Sequence, residues 1–149
     1  MDEEGNLLRY RASCHCKKIA VEFNFPVNAD IEECNCSICY YKGFLHMLVP
    51  KTNFRLISGG REFYHLHDRI GLQEKENELM NSYQFGTKNA KHLSCKVCHV
   101  SCYYYPRSHP EGVSINARCV KGGIPIFNHR VTPFDGRNYE ANLAALRAK

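Results

Sequence analysis

The chain has 149 residues, 44% hydrophobic and 23% charged, which is enough for one packed domain and too apolar for wholesale disorder. No stretch approaches the roughly 18 consecutive apolar residues of a membrane span, and the acidic start Met1-Asp2-Glu3-Glu4 lacks the apolar core of a secretion signal, so a cytoplasmic or nuclear protein without a membrane partner is expected. The formal charge of +5 is modest and no basic tail concentrates it, which argues against a nucleic-acid partner.

Cys14-His15-Cys16 leads directly into Ile19 to Phe25, where Ile19, Val21, Phe23 and Phe25 alternate with small or polar residues. This predicts a half-buried strand, turned at Pro26 and Asn28-Ala29-Asp30. Cys34-Asn35-Cys36-Ser37-Ile38-Cys39 follows, expected as a loop with one helical turn that ends near Gly43. Leu45 to Val49 reads as a strand stopped by Pro50, Phe54 to Ile57 as another closed by Gly59-Gly60, and Phe63 to His67 as a fourth. The polar stretch from Asp68 to Asn77 has no period of two and is expected as an exposed loop. Regular structure resumes from Leu79 to Phe85, Cys95-Lys96-Val97-Cys98 comes next, and Val100 to Tyr105 is a β-prone run ended by Pro106. Val113 to Ala117 adds an alternating strand, Gly122-Gly123-Ile124-Pro125 a turn, and Asn138 an N-cap for a short helix carrying Leu143 and Leu146. Many short strands around cysteine loops, with little helix and no domain boundary, predict a mainly β fold.

Seven of the nine cysteines fall in those three clusters, at spacings that let neighbouring sulfurs reach one ion. An odd count with C-x-C spacing, in a reducing compartment, favours metal over disulfides. Tetrahedral zinc takes four ligands at about 2.3 Å, so the thiols divide into a closed set, Cys14, Cys16, Cys95 and Cys98, and an open set, Cys34, Cys36 and Cys39. A closed four-thiolate site is structural, because no position is left for a substrate. The three-thiolate site leaves a place for water or an incoming sulfur, the arrangement expected of a working metal. The alternative is an internal fourth ligand, for which Cys102, Cys119, His46 and His99 are candidates. Seven thiolates and two Zn²⁺ lower the formal charge to about +2, which weakens the case for nucleic acid further.

His65 and His67 share a strand face without a third ligand nearby and read as a surface pair. His15 and His99 adjoin cysteine pairs and are expected to tune hydrogen bonding around sulfur rather than to ligate. Arg107, in Arg107-Ser108-His109, is a candidate for holding a substrate carboxylate bidentately; a plain surface turn is the alternative.

In order, Cys14-x-Cys16, Cys34-Asn35-Cys36-Ser37-x-Cys39, Cys95-x-x-Cys98, Tyr105-Pro106-Arg107-Ser108-His109-Pro110-Glu111-Gly112 and Phe134-Asp135-Gly136-Arg137-Asn138-Tyr139-Glu140 resemble the glutathione-dependent formaldehyde-activating enzyme family, and within it the centromere protein V-like members. The resemblance runs from about Ser13 to Glu140. It implies an Mss4-like β-tent over residues 13–140, between an N-terminal extension (1–12) and a C-terminal helix (141–149). Two zinc ions are implied, a structural one on Cys14, Cys16, Cys95 and Cys98 and a catalytic one on Cys34, Cys36 and Cys39. The implied activity is that of a carbon–sulfur lyase acting on S-hydroxymethylglutathione, the adduct of glutathione and formaldehyde, with a small thiol as partner. Two competing readings are a non-catalytic zinc-stabilised interaction module, associated with chromatin or cytoskeleton, and a glutathione-binding carrier.

The chain departs from the family pattern at Lys17 and His99, where glycine usually follows the first and last pairs, and at Tyr40-Tyr41, where a small or basic residue is common. A lysine and a histidine at the glycine positions imply altered loop geometry or a bulkier site. The segment around Gly71 to Glu78 looks like an insertion.

Overall fold

Alternation in β2 (Ile19–Pro26) decides how the first half of the chain packs: Ile19, Val21, Phe23 and Phe25 are all at most 1% exposed. The computed structural model describes residues 6–58, 62–65, 69–85 and 90–138. Within them β2 lies between β1 (Leu7–Ser13) and β5 (Phe54–Ser58), and β5 pairs on with β6 (Glu62–His65), giving an antiparallel four-stranded sheet. The second sheet holds β3 (Ile31–Cys34), β4 (Leu45–Pro50), β7 (Met80–Tyr83), β8 (Lys91–Cys95), β9 (Tyr103–Tyr105), β10 (Gly112–Asn116) and β11 (Val131–Phe134). Its order is β11-β3-β4-β10-β9-β8-β7, with β11 running parallel to β3. The fold is thus mainly β, as the sequence leads one to expect.

Side-chain parity gives the seven-stranded sheet two different faces. Met47, Val49, Tyr103, Val113 and Ile115 are buried completely or nearly so and join the core with β2 and β5; the Phe54 ring meets the Tyr103 ring at 4.9 Å. Each such side chain removed from water contributes about 1.5–3 kcal/mol. The other parity sets Leu48, Ser114, Tyr104, His92 and Tyr83 directly opposite one another across five strands. Of that row, Leu48, Ser114, Tyr104 and His92 line the candidate site.

The stretch expected as an exposed loop from Asp68 to Asn77 is, where described, part of a helix, α2 (Arg69–Leu79). Leu72, Glu76 and Met80 are buried at helical spacing. The pattern is hidden because a carboxylate fills the middle position: the hydroxyls of Tyr103 and Tyr105 both donate to Glu76 Oε2, at 2.7 and 2.5 Å. A shorter helix, α1 (Ser37–Lys42), carries the last thiol of the second cysteine cluster and ends at Gly43, whose φ of +66° closes it as the glycine promised. Among the described residues no helix is long and apolar enough to cross a membrane. His67, the Gly59-Gly60 turn and the C-terminal helix with Leu143 and Leu146 lie outside the described residues.

Candidate metal centres and the adjoining pocket

Cys14 and Cys16 sit in the connection from β1 to β2, while Cys95 ends β8 and Cys98 follows it. Their four Sγ atoms all lie within 4.8 Å of one another, with Cys14 to Cys16 and Cys16 to Cys95 both 3.6 Å apart. A tetrahedron with bonds of about 2.3 Å has edges of about 3.8 Å, so these sulfurs stand at ligand spacing for a thiophilic dication. Backbone N–H groups donate to the sulfurs, Ile19 to Cys14 at 3.4 Å, Val97 to Cys95 at 3.4 Å and Cys98 to Cys95 at 3.5 Å. Burial pushes the Cys14 thiol up to about 12, a cost that a bound cation offsets. One pair comes from each sheet, so an ion here joins the two sheets, rather than distant parts of one.

The two loops share a backbone device. Lys17 has φ +68° and His99 φ +66°, both left-handed; Lys17 N–H donates to Cys14 O at 3.2 Å and His99 N–H to Cys95 O at 2.9 Å. Left-handed backbone is where glycine is comfortable and an L side chain is not. Of the two expectations for Lys17 and His99, altered loop geometry or a bulkier site, the first is corrected: both take left-handed backbone of the kind glycine favours, and the strain is carried by larger residues.

Cys34 is the last residue of β3, Cys36 immediately precedes α1, and Cys39 lies in its first turn. Their three Sγ atoms also lie within 4.8 Å of one another, and among the described residues no further Cys, His, Asp or Glu joins the group. Cys102 and Cys119 hydrogen-bond to each other, and Cys119 also donates to Ser101 O at 3.7 Å. His46 comes nearest, with Nε2 3.2 Å from Cys39 Sγ and Nδ1 2.9 Å from Ser114 Oγ. If Cys39 is a thiolate, Nε2 carries the proton and donates to sulfur, while Nδ1 accepts from the Ser114 hydroxyl. His46 is then a partner of one ligand, not a ligand. Burial pushes His46 down to about 4 and keeps it neutral.

Hydrogen bonds with Cys34 and Cys39 pull Cys36 down to about 2; the bond with Cys36 pushes Cys34 up to about 11, and those with Cys34 and Cys36 push Cys39 up. Crowded sulfurs cannot all ionise by themselves. A dication removes that conflict, so the donor set fits a metal here too.

The C-terminal motif clasps this cluster. Asn35 N–H donates to Phe134 O at 3.2 Å and Asn35 Nδ2 to Asp135 Oδ1 at 3.1 Å; Arg137 N–H donates to Asn35 Oδ1 at 3.0 Å and Arg137 Nε to Asn35 O at 3.2 Å. Parallel pairing sets Phe134 opposite Cys34, and Gly136 packs against Cys34 and Cys36 with no room for a side chain.

A cavity of about 330 Å³ opens beside the three thiols on the outer face of the seven-stranded sheet. His46, Leu48, His92, Tyr104 and Ser114 line it from the strands, Phe85 from beyond β7, and Arg107, Ser108 and His109 from the loop after β9. Arg107 therefore lines the cavity. The roles of Asn35, Gly136, Phe85, His92 and Tyr104 were not read from the sequence; the signal available for the strand residues was parity, since they stand opposite the core positions. Neither His15 nor His99 joins a thiol group. His65 lies in β6 and its side chain is not described.

No family model matches the chain. Among solved structures, the fold is similar to the crystal structure of a Rhodobacter sphaeroides protein determined as a structural-genomics target, with a TM-score of 0.63 and 26% sequence identity. The match covers 83% of this chain and 99% of that one.

Proposed function

We propose that the protein holds two zinc ions, a structural one on Cys14, Cys16, Cys95 and Cys98 and a working one on Cys34, Cys36 and Cys39. On this reading it is a carbon–sulfur lyase-like enzyme acting on a small thiol adduct such as S-hydroxymethylglutathione. One observation carries the reading: three sulfurs at ligand spacing, without a fourth protein ligand among the described residues, adjoin a cavity large enough for a small thiol. The resemblance of the ordered cysteine motifs to the glutathione-dependent formaldehyde-activating enzymes supports the same chemistry.

Cys34, Cys36 and Cys39 would hold the zinc, which when bound would lower the pKa of an incoming thiol enough to make it a nucleophile at neutral pH. In adduct formation the substrate sulfur attacks the aldehyde carbon, the carbonyl π pair moves to oxygen, and that oxygen takes up a proton equivalent to the one the thiol lost. Cleavage is the reverse. The chain positions the partners: the Asn35 clasp holds Cys34 and Cys36, and His46, braced on Ser114, holds Cys39. Arg107 offers a guanidinium to a substrate carboxylate, and the aromatic side chains give the cavity an apolar wall.

Zinc stoichiometry, followed by titration with glutathione and assay of formaldehyde turnover, tests this. Two zinc ions per chain, thiol binding that disappears in Cys36→Ser, and turnover are expected. One ion, or two with no response to thiol, would leave only a metal-joined scaffold.

A further inference from the structure

Four rings stand in a row along one wall of the cavity-bearing face. Tyr83 and Phe85 are stacked at 5.6 Å, Phe85 and His92 at 5.5 Å, and His92 and Tyr104 at 4.9 Å, with interplanar angles of 24°, 24° and 11°. Past Tyr104, the rings of Phe44 and His46 meet it edge-on at 5.2 and 5.6 Å. His46 in turn touches Cys39 Sγ. An aromatic track thus runs from the surface to the sulfurs.

The register builds this track, since Tyr83, His92 and Tyr104 are direct cross-strand partners. Core packing does not account for its outer end, because Tyr83 is 58% and Phe85 45% exposed. Phe85, His92, Tyr104 and His46 all line the cavity. Burial pushes His92 down to about 4, so the wall carries no charge at neutral pH. Neither glutathione nor its hydroxymethyl adduct carries a ring that could stack against this wall.

We propose that the Phe85–His92–Tyr104 wall makes the site selective for a thiol, or thiol adduct, whose substituent is a flat aromatic ring. This rests on the reading of the Cys34, Cys36 and Cys39 cluster as a thiol-binding site. Rings attract one another in offset and edge-to-face contacts beyond what buried area provides, and two such contacts amount to about tenfold in affinity. A saturated ring of the same size covers the same area without that gain.

The test uses protein with cobalt(II) in place of zinc, titrated with benzyl mercaptan and with cyclohexylmethanethiol, the thiolate-to-cobalt absorption band reporting binding. Benzyl mercaptan is expected to half-saturate at about tenfold lower concentration, with its ring protons shifted upfield in NMR spectra. In Phe85→Ala and in His92→Leu the preference should shrink to about twofold or less, with both cobalt ions retained. Equal half-saturation by the two thiols, or a preference untouched in both variants, overturns the proposal. Should neither thiol change the spectrum, the thiol-binding reading itself fails and takes this one with it, an outcome distinct from loss of preference alone.

Discussion

Gly136 lies so close to Cys34 that a methyl group in place of its hydrogen would overlap the Cys34 sulfur, and would sit 3.0 Å from Cys36 Cβ. The backbone has little freedom to give way, because Asn35 is held from both sides by Asp135 and Arg137, so it is the sulfur that must shift. Gly136→Ala should therefore displace Cys34 and weaken metal binding at the three-thiol cluster by about 10–100-fold, the range for disturbing the shell that orients ligands. Competition with a chromophoric chelator measures this. The four-thiol site should keep its ion, so a variant that loses both metals together would show that Gly136 serves the fold and not the cluster.

Lys17 and His99 carry left-handed backbone without the freedom of glycine. Relief of that strain in Lys17→Gly and in His99→Gly should stabilise the protein by about 0.5–1 kcal/mol each, after the greater entropy of an unfolded glycine is set against it. Urea unfolding at saturating zinc is the measurement. Lys17→Ala keeps a Cβ and should gain nothing, and a gain equal to that of the glycine variant would refute the strain argument.

What could be read from the sequence was what depends on neighbours in the chain. The seven thiols announce themselves by spacing, β2 by strict alternation, and the end of α1 by Gly43. α2 was missed because Glu76 occupies a core position and reads as polar. β11 was missed because it is four residues long, contains Pro133, and pairs with β3 from about a hundred residues away. The cavity wall was missed for the same nonlocal reason: parity tells that His92 and Tyr104 avoid the core, but only the register sets them side by side.

The two thiol groups should fail differently. Cys95 is buried and belongs to the four-thiol group between the sheets, so if the proposed structural zinc is bound there, Cys95→Ala removes a ligand whose metal would contribute to the folding free energy, several kcal/mol by order of magnitude. The variant should aggregate or unfold. Cys36 lies in a loop beside the cavity, and Cys36→Ala should remain folded with one zinc ion. Equal loss of soluble protein in the two variants would contradict the division into structural and working sites.

Glu22 ties three strands, standing opposite Arg11 on β1 and Arg55 on β5, with both guanidiniums on its carboxylate. Burial alone would raise its pKa, but the hydrogen bonds from Arg55 and Arg11 prevail and hold it below the ordinary carboxylate value. A lowered folded pKa means that this stability is present above the unfolded pKa and is lost as pH falls through the folded one. Glu22→Gln should cost about 2 kcal/mol at pH 7, less than a fully buried pair because Arg11 is 58% exposed. In urea titrations the gap between wild type and variant should be flat from about pH 7 to 5 and close below about pH 4.5. A gap that widens on acidification would rule the account out.

Glu76 holds α2 to the sheet through one oxygen that accepts from two tyrosines, and Tyr103 is fully buried. Its removal strands a phenol donor with no water to take over, a loss of about 1–3 kcal/mol before any packing is counted. Glu76→Ala should therefore cost about 3 kcal/mol, whereas Glu76→Gln, which keeps an acceptor oxygen, should cost about 1. Burial raises the Glu76 pKa, so ionisation works against the fold. Between its unfolded and folded pKa values the wild type should lose stability as pH rises, and the glutamine variant should not. Equal losses in the alanine and glutamine variants would show that the helix is held by apolar packing at Leu72 rather than by this tie.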